Sequence, residues 1–261
     1  MHNSRMTATQ ASSPSAAAGP LAILSALPDE QRGLIELLQS PRLERHAGRE
    51  FWRGSLHGQT VVLALSRIGK VSATLTAAVL VERFGVRAIV FTGVAGGLAP
   101  GVRVGDVVVA HEFMQHDMDA SPIFPRHEVP AYGRSRFACD AELSERLALA
   151  AGRGLAQAFG SAQIHRGLIA SGDRFVSSAA ESSALQLALR QTGHEALAVE
   201  MEGAAVAQVC ADYGIAFAAM RAISDRADDD AHQDFSTFVR QVASRYALLI
   251  VGEFLRPGHA A

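Results

Sequence analysis

Two carboxylates flank Met201 in the apolar stretch ALAVEMEGAAVAQV: Glu200 and Glu202. In a strand both would point to one face, because side chains alternate with a period of two. Two buried carboxylates are costly unless hydroxyls, amides or cations satisfy them. A sugar diol would satisfy one of them. An ion pair with Arg221 is the structural alternative. Asp225 ends a second apolar run, AMRAISD, beside Ser224. Partial burial there raises a carboxyl pKa and keeps a proton available for donation. The plainer role is a cap for the segment that follows. Glu30 stands in PDE at a helix start, where the helix N-terminus alone favours an acid. Glycines cluster at Gly93–Gly97 after a third apolar run, and Asp173–Val176 follows GLIASG. Phe175 in that last segment reads as core or as a stacking platform.

Other chemistries are not supported. The glycine cluster lacks G-x-G-x-x-G and the lysine of a P-loop. No H-E-x-x-H motif and no G-x-S-x-G elbow are present. His111 and His116 with Asp117 and Asp119 could ligate a metal, but a polar pocket wall is the better reading, and no metal or cofactor is expected. Cys139 and Cys210 are the only cysteines, too few for a disulfide framework. The chain carries 24 Lys and Arg against 26 Asp and Glu, so no bulk positive field marks a nucleic-acid partner.

These residues need elements to aim them, and the pattern supplies strands and helices in alternation. Apolar runs at 21–26, 60–66, 87–93, 106–113, 162–172, 196–201 and 215–224 read as strands. Segments 28–39, 71–85, 141–159, 180–193, 202–214 and 235–254 read as helices; Gly85 is a C-terminal stop for one of them. Residues 94–101 read as a glycine-rich loop and 114–135, with three prolines, as a long ordered loop. Alternation of this kind predicts one α/β domain over 21–261 with a parallel or mixed sheet. In such folds the loops leaving the carboxyl ends of strands build the site, where the acids above stand. Residues 1–20, rich in Ala, Ser, Thr and Pro, read as a disordered extension rather than a secretory signal. Arg5 without acidic neighbours leaves a transit peptide as the alternative. No run reaches the roughly 18 apolar residues of a membrane span, and the cytoplasm is the expected compartment.

The segments SALPDE, SRIGKV, FTGVAGGLAPGVRVGDVVV, GLIASGDRFV, AVEMEGAAVAQVC and RAISDRAD stand in an order that resembles bacterial 5′-methylthioadenosine/S-adenosylhomocysteine nucleosidases, within the purine-nucleoside and uridine phosphorylase superfamily. The resemblance spans about 21–255. It implies the nucleoside-phosphorylase fold, a single domain with a central mixed β-sheet flanked by helices. It implies hydrolysis of the N-glycosidic bond of an adenine nucleoside. Asp225 matches the acid that protonates N7 of the leaving purine, and Glu30 the acid that activates water. Glu202 matches the carboxylate on the ribose hydroxyls, with Met201 against the sugar. Phe175 matches the base-stacking aromatic, and the Val176 backbone the reader of the base edge. Ile68 and Phe235 match apolar residues near the 5′ substituent. The family's homodimer, with part of the 5′ pocket supplied by the partner, is implied as well.

Val94 departs from the pattern, standing where many members carry a serine that supports the catalytic aspartate. Leu27-Pro28 replaces Met-Glu, and QHDMDASPIFPRHEVP differs from the better-known version. Phosphorylases of this fold place an arginine and a serine around the glycine loop, where this chain has Phe91 and Val94; Arg32, Arg49 and Arg53 remain as alternatives for holding an anion. A phosphorylase and a non-catalytic nucleoside-binding module are thus the competing readings.

Overall fold

The computed structural model describes residues 19–156 and 158–256. The extension expected at its start lies, for residues 1–18, outside the described residues. Pro20 is buried, and its carbonyl accepts the Arg87 N–H.

Ten strands form one mixed sheet: β1 (Leu21–Ser25), β2 (Gln39–His46), β3 (Arg49–Leu56), β4 (Gln59–Leu65), β5 (Ala88–Gly97), β6 (Val107–Gln115), β7 (Arg136–Ala138), β8 (Ile164–Ser171), β9 (Ala196–Glu200) and β10 (Ala216–Asp225). The spatial order is β10-β6-β8-β9-β5-β1-β4-β3-β2, and β10 also pairs with β5. Strands β5, β10, β6, β8 and β9 therefore close on themselves. β1 and β10 run parallel to β5, β9 runs antiparallel to it, and β6 is parallel to β8. Closure brings the ends of β5, β8, β9 and β10 together.

The helices are α1 (Pro28–Glu36), α2 (Lys70–Phe84), α3 (Ala141–Ala156), α4 (Ala179–Gln191), α5 (Gly203–Tyr213), α6 (Ala231–Phe238) and α7 (Ser244–Leu255). Helices α2 and α5 pack into one core, with Leu80, Phe84, Val206 and Cys210 against Phe51, Phe91 and Phe113. The other core joins α3 and α7 to the opposite sheet face through Leu147, Leu155, Ile250 and Val251. Burying each such large apolar side chain contributes about 1.5–3 kcal/mol. Gly85 ends α2 at φ 58°, where its N–H reaches back to the Leu80 and Val81 carbonyls. That left-handed geometry is the reason for a glycine there.

Four expectations change. The hairpin β2–β3 occupies a segment given no element above, because β2 (QSPRLERH) is polar and mostly exposed and shows no apolar alternation. The glycine stretch is not a loop from residue 94: β5 continues to Gly97, held by β10 and by β9 on its other edge. Glu202 does not share a strand with Glu200. β9 stops at Glu200 and Glu202 is the N-cap residue of α5. The closing helix is two, since α6 begins at Ala231 behind the acidic Asp228–Asp230 and a π-helical turn (Val239–Ala243) separates it from α7. Among the described residues, no helix is long and apolar enough to cross a membrane.

Candidate active site

The strand exits open into one cavity of about 320 Å³. Its walls include Glu30, Ile68, Val94, Phe175, Glu200, Met201, Glu202, Arg221, Ser224, Asp225 and Phe235. Val176 lines the adjoining recess, together with Phe175, Gly96 and Asp225. The residues matched to catalytic and substrate-binding roles thus all reach this region, whereas His111, His116, Asp117 and Asp119 do not line it.

Glu30 enters from the first turn of α1. It is 2% exposed despite its place near a helix start. Its Oε2 accepts the N–H groups of Ala26 and Leu27, at 2.8 and 2.9 Å. One oxygen therefore caps the helix. Oε1 lies 3.3 Å from where a Cβ would stand on Gly93, so the strand passes close because residue 93 has no side chain. Burial raises the Glu30 pKa, against the Leu27 N–H, the Arg221 charge and the Ala26 N–H, which lower it. The result is a carboxyl set nearer neutrality than a surface glutamate.

Glu200 and Glu202, two positions apart, have different surroundings. Glu200 Oε2 receives the Arg221 guanidinium at 2.7 Å, both side chains almost wholly buried. Oε2 also accepts the Gly203 N–H at 2.9 Å, and Oε1 accepts the Ser171 hydroxyl. Arg221 is held further by the Phe91 and Met220 carbonyls and lies 4.1 Å above the Phe91 ring. The ion-pair alternative therefore describes Glu200, although both partners line the cavity wall. Glu202 has no such cation. Its Oε1 accepts one N–H, from Gly69 at 2.8 Å. Burial first, then the charge of Glu200, pushes its pKa up to about 8, against the Gly69 N–H and Arg221.

Asp225 ends β10 at a register shift between Ile223 and Asp225, and such bulges re-aim side chains next to sites. Its Oδ1 accepts the Ala227 N–H and its Oδ2 the Ser224 hydroxyl, each at 2.8 Å. It caps no helix, since Asp230 holds the N-cap position of α6. Burial raises its pKa, opposed by those two hydrogen bonds and assisted by Asp228 and Asp234. Ser224 supplies a hydroxyl that Val94 does not. Gly96 is needed beside it: a Cβ there would stand 2.9 Å from Asp225 Oδ1.

Apolar surfaces complete the cavity. Phe175 meets Phe235 edge-on, ring centroids 5.5 Å apart. Ile68, more than half exposed, stands at the mouth. Among the described residues one cation lines the cavity, Arg221, and Glu200 neutralises it. The other arginines considered for an anion are engaged elsewhere or exposed: Arg32 binds Asp29, Arg49 binds Thr76 and the Ser72 carbonyl, and Arg53 faces solvent on β3. Asp117 holds Lys70 and Asp119 holds Ser121. Sequence reasoning missed two participants, Gly69 and Lys70. Both lie between the runs read as a strand (60–66) and a helix (71–85), and their partners are distant in sequence.

Comparison with known proteins finds relatives that share the sequence and the fold. The family profile described as the phosphorylase superfamily matches residues 20–256. The 5′-methylthioadenosine/S-adenosylhomocysteine nucleosidase of Shewanella halifaxensis is 31% identical over 231 residues, 88% of this chain and 96% of the relative. The crystal structure of the Neisseria meningitidis nucleosidase of that name, in complex with methylthio-immucillin-A, superposes with a TM-score of 0.81 at 36% identity, covering 91% of this chain and 99% of that one. The Colwellia psychrerythraea nucleosidase in complex with adenine gives 0.81 at 32% identity, covering 91% and 94%. A fold of this topology, matched over about nine-tenths of the chain at this identity, places the chain in the 5′-methylthioadenosine/S-adenosylhomocysteine nucleosidase family of the phosphorylase superfamily.

Proposed function

We propose that Glu30, Glu202 and Asp225 divide between them the hydrolysis of the N-glycosidic bond of a 5′-substituted adenine nucleoside. The observation that carries this reading is the convergence of three buried carboxyls on one cavity, each with its pKa raised by burial. Breaking the bond sends its electron pair to the base and leaves a cationic sugar. A protonated Asp225 gives its proton to N7 and neutralises the departing base. Glu202 lies on the ribose hydroxyls; positive charge developing on the sugar opposes the burial that raises its pKa and favours the ionised form, which stabilises the sugar, with Met201 packed beside it. Water adds to the anomeric carbon and yields its proton to Glu30. Acid–base assistance of this kind contributes about 10²–10⁴-fold, and preorganised charge in a dry cavity adds to it.

Adenine fits between the apolar surfaces of Phe175 and the recess beside Val176, and the Colwellia psychrerythraea relative is solved with adenine. The 5′ substituent points to the apolar mouth at Ile68 and Phe235. A methylthio group or the longer thioether of S-adenosylhomocysteine, the substrates named for the relatives, suits such a mouth. Water rather than phosphate is the acceptor because, among the described residues, the one cation on the wall is paired with Glu200.

The mouth also supports a homodimer. Val71 and Leu75 are exposed one turn apart on α2, Ile68 is exposed in the turn before it, and Ile123 is 82% exposed. Apolar groups in such a row mark an interface, and a C2 partner would cover them. On the same loop as Ile123, Phe124 is half-buried and Val129 is buried, packed into the core of its own chain. Two free thiols suit a reducing cytoplasm.

Adenine release with and without phosphate tests the reading. Hydrolysis predicts the same rate in both buffers and a free sugar as product. A sugar 1-phosphate would make the protein a phosphorylase. Binding without turnover would make it a nucleoside-binding module.

A further inference from the structure

Lys70 is the first residue of α2, a position where a cation is disfavoured by about 0.3–1 kcal/mol by the helix dipole. Its side chain is nonetheless mostly buried and fully engaged. Nζ lies 2.6 Å from Asp117 Oδ1, 3.1 Å from Gln115 Oε1 and 3.8 Å from Asp173 Oδ2. The two acids are tied to the same point by the backbone. Asp173 Oδ1 accepts the Lys70 N–H at 2.8 Å, and Asp117 Oδ2 accepts the Asp173 N–H at 2.9 Å. Burial alone would raise the Asp117 carboxyl, but the Lys70 ammonium and the Asp173 N–H hold it below its usual value. Three segments distant in sequence are joined: the turn before α2, the exit of β6 and the exit of β8.

Two of those segments carry cavity walls. The turn before α2 presents Ile68, and the exit of β8 presents Phe175. The turn also carries Gly69, whose φ of 94° suits only glycine and whose N–H is the donor on Glu202. Gly69 is the N-cap residue of α2 and has no side chain to cap it. Glu202 and Asp173 accept the first N–H groups instead, from elsewhere in the fold.

We propose that Lys70 is a positioning residue: its ammonium locks the exits of β6 and β8 to the start of α2 and so keeps the Gly69 N–H on the Glu202 carboxylate. This rests on the hydrolytic reading above. Without the ammonium, Asp117 and Asp173 are two adjoining carboxylates with no cation between them, and the turn is free to move off Glu202. A hydrogen bond to the charged form favours that form. Losing the Gly69 donor therefore leaves Glu202 harder to ionise, among the groups that face it: Glu200 at the end of β9, Arg221 on β10 and Glu30 on α1. Around Lys70 itself the charged and titratable neighbours are Asp117, Asp173 and His116.

The test is the pH profile of kcat/KM for adenine release by the full-length protein and its Lys70→Met, Lys70→Arg and Asp117→Asn variants. Lys70→Met should lower kcat/KM at neutral pH about tenfold and move the acid limb upward by at least about half a pH unit. Lys70→Arg should restore most of both. Asp117→Asn separates positioning from simple charge. Removing a negative charge should ease ionisation of Glu202 and move the limb down, whereas loosening the lock moves it up. An upward shift in Asp117→Asn supports the proposal even if Lys70→Met does not fold. A limb left at the wild-type position, or moved down, in Asp117→Asn overturns it, as does a Lys70→Met variant that only melts earlier. A wild-type protein that releases no adenine would count against the hydrolytic reading instead.

Discussion

Arg221 and Glu200 meet at 2.7 Å in the wall of the cavity, with side chains 1% and 3% exposed. The pair keeps Arg221 from serving as an anion site and anchors the start of α5, whose Gly203 N–H also rests on Glu200. Removing one partner strands a buried charge, which costs about 3–5 kcal/mol. Glu200→Gln and Arg221→Met should each lower unfolding stability by roughly that amount in urea titrations. The double variant should lose less than the sum. Strict additivity would mean that the two residues stabilise the fold independently.

Asp225 and Gly96 should fail together. Asp225→Asn keeps the size and loses the donatable proton, so kcat should fall about 10²-fold or more while substrate binding is largely kept. Gly96→Ala puts a methyl group 2.9 Å from Asp225 Oδ1 and must displace it. Its kcat should fall in the same direction with Asp225 still present. Near-normal turnover in Asp225→Asn would leave Ser224 and Ala227 as partners of a purely structural carboxylate.

Much of this site was readable from residue types. Glu30, Asp225 and the VEMEG acids stood out because each ends or follows an apolar run, and a parallel α/β sheet collects such ends on one side. The division of labour between Glu200 and Glu202 was not readable. It depends on β9 stopping at Glu200, which meets Arg221, while Glu202 begins α5 and meets the Gly69 N–H instead. The Lys70 lock was hidden for another reason: its acids lie 47 and 103 residues away, and only sheet closure brings them near. The β2–β3 hairpin was silent because its first strand is polar and exposed.

Stability should depend on pH through Glu202. Its carboxyl rises from 4.5 to about 8 on folding. The folded state therefore favours the protonated form. That stabilisation is complete below 4.5 and is lost as pH rises through about 8, with a slope of at most ~1.4 kcal/mol per pH unit. Between pH 5 and pH 8.5, roughly, wild-type Tm should fall more than that of Glu202→Gln, which has no proton to lose. Parallel melting curves for the two would remove Glu202 as a source of the slope.

The exposed row on α2 should be covered in solution. Light scattering at micromolar concentration should give the mass of two chains, and Val71→Asp with Ile123→Asp should shift it toward one. A wild-type monomer would contradict the shared interface.

Glu30 is where the hydrolytic account is most exposed to test. One of its oxygens caps α1 and the other faces the cavity next to Gly93. If capping is its whole role, Glu30→Gln loses about 0.3–1 kcal/mol of stability and keeps its turnover. If Glu30 takes the proton from water, glutamine fits the same space, still bonds the water and cannot act as a base. The measurement is kcat of Glu30→Gln for adenine release, taken beside its Tm. The account predicts a modest Tm shift with a loss of about 10²–10⁴-fold in kcat. A similar Tm shift with nearly wild-type kcat would contradict it and require another group to activate the water.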